Sequence, residues 1–227
     1  MSEDNEDYAD RPKPKMRDVA MPQIPVFDPG PSAEVVYSAC GELGTDVLLI
    51  GRLAVWAWLN GHREPQFTRD MDVAVRRADA PQFAAWLADS GLKTRRLPIG
   101  GIQAKNDDET IKVDFIDRSD PEHGDLSTLI DDAFRVAKRN QDMARVGAQA
   151  FLLCPVLHLC VMKFVAGRDK DLGDLHRLLN VHKPDMQELR TLFRGHVPAM
   201  IVEHFERWLV RIGHAEARNY DDDEPET

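Results

Sequence analysis

Three aspartates carry the strongest chemical signal in this sequence. Asp70 and Asp72 stand two apart in residues 70–75, whose polar–apolar alternation predicts a β-strand. On a strand such a pair shares one face, while Met71, Val73 and Val75 take the other and reach the core. Asp114 lies in a second alternating stretch, residues 110–116, where Ile111, Val113 and Phe115 alternate with Lys112, Asp114 and Ile116. If the two strands neighbour each other in register, three carboxylates converge on one side of a sheet. Like charges that close are costly unless a cation neutralises them. A hard divalent ion, Mg²⁺ or in its place Mn²⁺, accepts such oxygen ligands and leaves positions for phosphates. Two such ions about 3.5–4 Å apart can stabilise both the attacking and leaving oxygens of an in-line displacement. The competing reading of Asp70, Asp72 and Asp114 is a solvated strand face.

Gly51 is a second feature. It sits between an apolar run, residues 46–50, and a helical pattern, residues 53–59. A glycine there lets backbone approach phosphate, with the amides of the helix N-terminus aimed at it; an ordinary tight turn is the alternative. Arg52 follows directly and either binds phosphate or points outward. Further along, Lys163, Arg168, Lys170 and Asp171 form a charged segment in a helical region. Lys163, Ala166 and Lys170 fall on one helical stripe, so two basic groups reach a cleft together, unless Lys170 and Asp174 are simply an exposed i,i+4 pair.

The elements that must position these residues follow from punctuation and period. Residues 11–32 contain Pro12, Pro14, Pro22, Pro25, Pro29 and Pro31, too many for regular structure. Residues 32–40 read as a helix. Asp79, Pro81 and Gly91 delimit another over residues 79–91. Residues 92–97, 102–105 and 110–116 read as strands joined at Gly100-Gly101 and at residues 106–109. Residues 146–153 add an outer strand. From Pro155 the pattern is helical over residues 156–165, 171–179, 185–193 and 198–212. Strands and helices mixed early and helices clustered late predict an α+β fold: a small mixed sheet with flanking helices and a C-terminal helical bundle. The expected divisions are a disordered or extended acidic, proline-rich lead-in over 1–32, an α/β core over 33–153, a helical region over 154–214 and an acidic tail over 215–227.

The chain has 227 residues and a formal charge of −10. Residues 1–10 and 219–227 each hold five acidic side chains and no Lys or Arg, which accounts for the whole excess; residues 11–218 are formally neutral. The body is therefore no basic nucleic-acid clamp, although Arg95, Arg96 and Lys105 allow a local patch. Cys40, Cys154 and Cys160 are odd in number and lack metal-ligand spacing, and no histidine pair has zinc spacing. His158 reads as a core or rim residue. Trp56 and Trp58 cannot share one helix face, so one of them is expected at the surface. An acidic N-terminus without a signal-peptide pattern and no apolar run near ~20 residues predict a cytoplasmic protein with no membrane partner.

Taken together, Gly51-Arg52-Leu53-Ala54, Phe67-Thr68-Arg69-Asp70-Met71-Asp72-Val73 and Val113-Asp114-Phe115 resemble the nucleotidyltransferase superfamily related to polymerase beta. The segment from Lys163 through Arg168, Asp171 and Asp174 is similar to the Lys…Arg-X-X-Asp-X-X-Asp signature of abortive-infection, AbiEii-type nucleotidyltransferases, which include toxins of toxin–antitoxin pairs. The resemblance covers about residues 33–180. It implies a Mg²⁺-dependent enzyme that moves a nucleoside monophosphate from an NTP to a hydroxyl of RNA (a tRNA end included), protein or a small molecule, with an antitoxin as partner. In that reading Asp70, Asp72 and Asp114 are metal ligands and catalytic, with Lys163 and Asp171 also catalytic. Gly51, Arg52, Arg168 and Lys170 contact the nucleotide. Arg52 replaces the second small residue of the glycine turn, and Gln66 stands where many relatives have Arg. These departures support the alternative of a catalytically weak or inactive nucleotide-binding or interaction module on the same fold. A two-metal phosphohydrolase accounts for the carboxylates but leaves Gly51 and the helical Lys–Asp pair unexplained.

Overall fold

The alternating stretches around Asp72 and Asp114 become adjacent parallel strands, and the rest of the molecule is arranged around them. The computed structural model describes residues 15–18, 28–59, 68–122 and 124–214. In chain order the elements are β1 (Lys15–Asp18), α1 (Gly30–Leu43), β2 (Leu48–Leu49), α2 (Gly51–Trp58), β3 (Met71–Ala74), α3 (Ala80–Asp89), β4 (Lys93–Arg96), β5 (Gly101–Lys105), β6 (Lys112–Ile116), α4 (Ser127–Asn140), β7 (Asp142–Val146), β8 (Gln149–Leu153), α5 (Val156–Ala166), α6 (Asp169–His182), α7 (Met186–His196) and α8 (Ala199–Arg211). The fold is mixed α/β, with one eight-stranded sheet in the order β1-β7-β8-β2-β3-β6-β5-β4.

Alternation decides which side of the central strands faces the core. Met71, Val73, Val113 and Phe115 are buried, and Phe115 lies against Phe83 of α3 with ring centroids 5.3 Å apart. The pleat then puts Asp72 and Asp114 on the opposite face. β3 and β6 run parallel with Asp72 directly opposite Asp114. The start of β6 is tied to α1: the Lys112 backbone N–H donates to Ser32 Oγ at 3.0 Å.

Three features depart from expectation. Residues 146–153 are not one strand but the turn and second arm of a hairpin, β7 and β8, around Gly147 at φ 59°. The stretch read as an extended lead-in contributes β1, which pairs parallel with β7 at the sheet edge. Helix α4 was not anticipated, although its apolar face, Leu129, Ile130, Ala133, Phe134 and Ala137, is buried. Those apolar positions recur at helical spacing among charged residues, so the signal for this helix was present in the sequence.

The last four helices pack as expected. Phe164, Phe193, Phe205 and Trp208 form an aromatic cluster, with Phe193 and Phe205 stacked at 3.9 Å. Asp185 caps α7 by accepting from the Gln187 and Glu188 backbone N–H groups at 2.7 and 3.3 Å, a contact worth about 1 kcal/mol. Among the described residues no helix is long and apolar enough to cross a membrane.

Candidate active site

The site begins at a turn. Ile50 donates its backbone N–H to the Asp72 carbonyl at 3.1 Å, which brings the end of β2 against β3. Gly51 follows at φ 64° and opens α2. A Cβ at this position would lie 2.0 Å from Asp72 Oδ2, so only glycine lets the chain pass the carboxylate. The first-turn amides of α2 have no intrahelical partner and lie beside Asp72.

Asp72 and Asp114 are neighbours across the β3–β6 ladder. Burial first, and then the charges of Asp70 and Asp114, raise the Asp72 carboxyl from 3.8 to about 7, against Lys163 and Arg168, which lower it. The side chain nevertheless keeps some solvent access, so it is reachable from outside. Asp114 is also raised, by burial and by Asp70, against a hydrogen bond from Gln103 that favours its charged form. That bond, Gln103 Nε2 to Asp114 Oδ1, is 2.7 Å long, and Arg95 Nε donates to Gln103 Oε1 at 2.8 Å. Asp70 acts on both partners through its charge, and its Oδ1 accepts from the Thr68 hydroxyl at 3.3 Å.

A buried ionic network from α2, α5 and α6 backs this carboxylate group. Lys163 Nζ lies 2.8 Å from Asp171 Oδ1 and 2.9 Å from Asp174 Oδ2. Lys163 is 6% exposed, and Asp171 and Asp174 are each 1% exposed, so these charges have left water. Arg168 Nε binds Asp171 Oδ2 at 2.6 Å from an exposed side chain. Burial raises the Asp171 carboxyl, but Lys163 and Arg168 outweigh it and hold it below the usual range. Neither Asp174 oxygen makes a well-directed hydrogen bond; its charge is met by proximity to Lys163 and to Arg52 Nε at 3.2 Å. Arg168 links the two groups: burial lowers its guanidinium, and Asp171, Asp72 and Asp70 raise it above its ordinary value.

The structure therefore brings Gly51, Asp70, Asp72, Asp114, Lys163, Arg168 and Asp171 into one electrostatic neighbourhood. Arg52 departs from its expected place as a phosphate ligand, because its side chain turns inward to the buried Asp174 instead of standing over the turn. Lys170 departs too. Gly167 at φ 66° ends α5, so the stripe through Lys163, Ala166 and Lys170 is broken, and Lys170 is exposed on α6. The i,i+4 pair of Lys170 with Asp174 does not form either, since Asp174 faces Lys163 and Arg52. Gln66, Phe67 and His62 lie outside the described residues, as do His123 and both acidic tails.

Sequence reading missed the parts played by Asp174 and Gln103. Asp174 follows Asp171 by three, a spacing that puts both on one helix face. Gln103 was detectable only through strand register. Two other residues are structural: Trp58 donates from Nε1 to the Cys154 carbonyl at 2.8 Å under the Arg17 guanidinium, and buried His158 bonds Asp132 through Nε2 at 2.8 Å.

The donor chemistry fits a hard divalent ion: carboxylate oxygens, one of them with a strongly disfavoured charge. Among the described residues no three His, Cys, Asp or Glu side chains are gathered as a ready-made metal cage. Mg²⁺ characteristically needs only one or two carboxylates and completes its shell with water and substrate phosphate.

No family model matches the chain, and no curated protein matches it. Among solved structures, the antibiotic-resistance factor ANT(2'')-Ia is similar over 83% of this chain and 100% of its own, at 10% identity and a TM-score of 0.45. An antigenic nucleotidyltransferase-like protein from Paracoccidioides brasiliensis is similar over 82% of this chain and 90% of its own, at 15% identity and a TM-score of 0.42.

Proposed function

We propose that this chain is a nucleotidyltransferase that moves a nucleoside monophosphate from an NTP to a hydroxyl acceptor. The observation that carries the reading is the pairing of Asp72 with Asp114 on parallel strands, with the Gly51 turn pressed against Asp72. Asp72 and Asp114, with Asp70 beside them, would hold Mg²⁺ or Mn²⁺. Such an ion, when bound, neutralises the carboxylates and draws charge from the triphosphate oxygens. The chain's own groups do the rest. The Gly51 turn gives the triphosphate a path past Asp72 without a side chain in the way, and the first amides of α2 are donors for its oxygens. Arg168, exposed and already electrostatically engaged with Asp70 and Asp72, balances charge on the departing pyrophosphate. Lys163 acts from behind by holding Asp171 and Asp174 in place and by lowering the cost of ionising Asp72. Asp114 Oδ2 takes no hydrogen bond from a described protein group and serves as proton acceptor for the attacking hydroxyl. Because positioning and electrostatics supply most of such catalysis, loss of one carboxylate should be nearly complete in effect.

The likeness of Lys163, Arg168 and Asp171 to the AbiEii-type signature extends the proposal to a toxin with an antitoxin partner, acting in the cytoplasm on RNA such as a tRNA end, on protein or on a small molecule. The test is transfer of label from each α-labelled NTP, with Mg²⁺ or Mn²⁺, to total tRNA, to protein and to small hydroxyl acceptors. Transfer by the wild-type chain that disappears in Asp72→Asn supports the reading. Metal-dependent NTP binding without transfer to any acceptor would favour the alternative of a non-catalytic nucleotide-binding module, for which the inward turn of Arg52 is the supporting feature.

A further inference from the structure

Gln103 is a buried polar residue on β5, 5% exposed, whose amide lies between a cation and a carboxylate. Strand register makes this arrangement a straight row. Arg95 on β4 faces Gln103, Gln103 faces Asp114 on β6, and Asp114 faces Asp72 on β3. Because every second residue shares a face, all four side chains rise from the same side of the sheet.

We infer that Gln103 is a positioning residue that fixes which oxygen of Asp114 is available to metal and substrate. This rests on the proposed site but adds a role for a residue outside it. The direction of the hydrogen bonds is forced. A guanidinium can only donate, so Gln103 must present Oε1 to Arg95, at 2.8 Å. The same amide then has only Nε2 to offer Asp114, at 2.7 Å. Arg95 and an ionised Asp114 select the same orientation of the amide, Oε1 to the guanidinium and Nε2 to the carboxylate. Asp114 Oδ1 is thereby occupied by a donor, its carboxylate plane is set, and Oδ2 is the oxygen left for one-oxygen coordination or proton acceptance. Groups that orient a ligating carboxylate in this way typically contribute about 10- to 100-fold to metal affinity.

Two measurements on the 227-residue chain test this. In metal-free protein, the Gln103 side-chain amide should show one downfield, slowly exchanging proton by nuclear magnetic resonance, lost in Asp114→Ala and broadened in Arg95→Ala. Mn²⁺ alone, titrated by electron paramagnetic resonance, should bind Gln103→Met about 10- to 100-fold more weakly than wild type, with the metal-free unfolding midpoint nearly unchanged. Arg95→Ala should fall between the two, and Arg95→Lys, which retains a donor, should stay close to wild type. Equal Mn²⁺ affinity in Gln103→Met and wild type would overturn the inference while leaving the proposed site standing. Wild type that binds no Mn²⁺ would instead overturn the metal site, and the amide signal would still decide whether the row exists. An amide that exchanges freely in wild type refutes the row itself.

Discussion

Ionisation of Asp72 should govern how the metal-free protein responds to pH. Its carboxyl is raised from 3.8 to about 7, by burial first and then by Asp70 and Asp114. An acid whose pKa is raised on folding stabilises the native state while protonated. That contribution is fully present below the unfolded value of 3.8 and is lost as pH climbs through about 7. At 1.36 kcal/mol per pH unit, ionising Asp72 across this window costs about 4 kcal/mol, of which about 2 kcal/mol falls between pH 5.5 and 8. Asp114, also raised, acts in the same direction. His158 opposes both below its ordinary value, because burial lowers its imidazole and stability then rises with pH.

The assay is urea unfolding in a chelator at pH 5.5 and pH 8, on wild type and Asp72→Asn. Subtracting the variant cancels the contribution of His158, which both proteins share. Wild type should lose about 2 kcal/mol relative to the variant over that span, so the variant becomes the more stable protein at pH 8. Millimolar Mg²⁺ at pH 8 should then raise the unfolding midpoint of wild type and leave the variant unmoved. Parallel pH profiles for the two proteins would refute the reasoning. They would mean that Asp72 ionises as freely as a surface carboxylate and that no stored charge repulsion awaits a cation.

Other substitutions separate structural from chemical roles. Gly51→Ala should cost several kcal/mol by urea unfolding and abolish Mn²⁺ binding, since its Cβ would collide with Asp72 Oδ2 and its φ of 64° disfavours any side chain; a stable, metal-binding Ala variant would show that the turn has room. Lys163→Ala strands Asp171 and Asp174 in a water-poor site and should destabilise the protein by about 3–5 kcal/mol. Adding Asp174→Asn should recover part of that loss in the same unfolding assay, and a purely additive double variant would refute the coupling. Arg52→Ala should lower unfolding stability while leaving the KM for NTP within about twofold of wild type if any transfer is measured, because its partner is Asp174; a large KM effect with unchanged stability would restore it as a phosphate ligand.

The sheet was legible because its code is local. Alternation around Asp70–Asp72 and Asp114 identifies strands, faces and the carboxylates they share, and the observed register places Asp72 opposite Asp114. Gly51 was legible for a related reason: a glycine between a strand and a helix is a positional signal, and its positive φ follows. What could not be read locally is pairing across elements. Arg52 and Asp174 are far apart in sequence, and nothing near Arg52 indicates that its guanidinium turns inward to α6. The stripe through Lys163, Ala166 and Lys170 does not survive because Gly167 takes a left-handed conformation and a new helix starts at Asp169. Gln103 looked like an ordinary strand residue until β4, β5, β6 and β3 were set in register.

These non-local pairings also tie the helical half to the carboxylates electrostatically. Asp70, Asp72 and Asp114 bring three carboxyl groups together, and β6, β5 and β4 answer them through the amide of Gln103 at Asp114 and the charges of Lys112 and Arg95. The network behind them contains Arg52, Lys163, Arg168 and Arg177 against Asp171 and Asp174, and two of these cations, Lys163 and Arg168, act on Asp72. Lys163 and Arg168 lower the cost of charging Asp72, while Asp72 and Asp70 stabilise the charge on Arg168. Each half thus reduces the electrostatic penalty of the other. Lys163 is held deep between Asp171 and Asp174, and Lys163 and Arg168 in turn lower the cost of charging Asp72 that burial, Asp70 and Asp114 impose. The docking of α5 and α6 therefore eases the charging of the carboxylate pair across the sequence distance between Asp72 and Lys163.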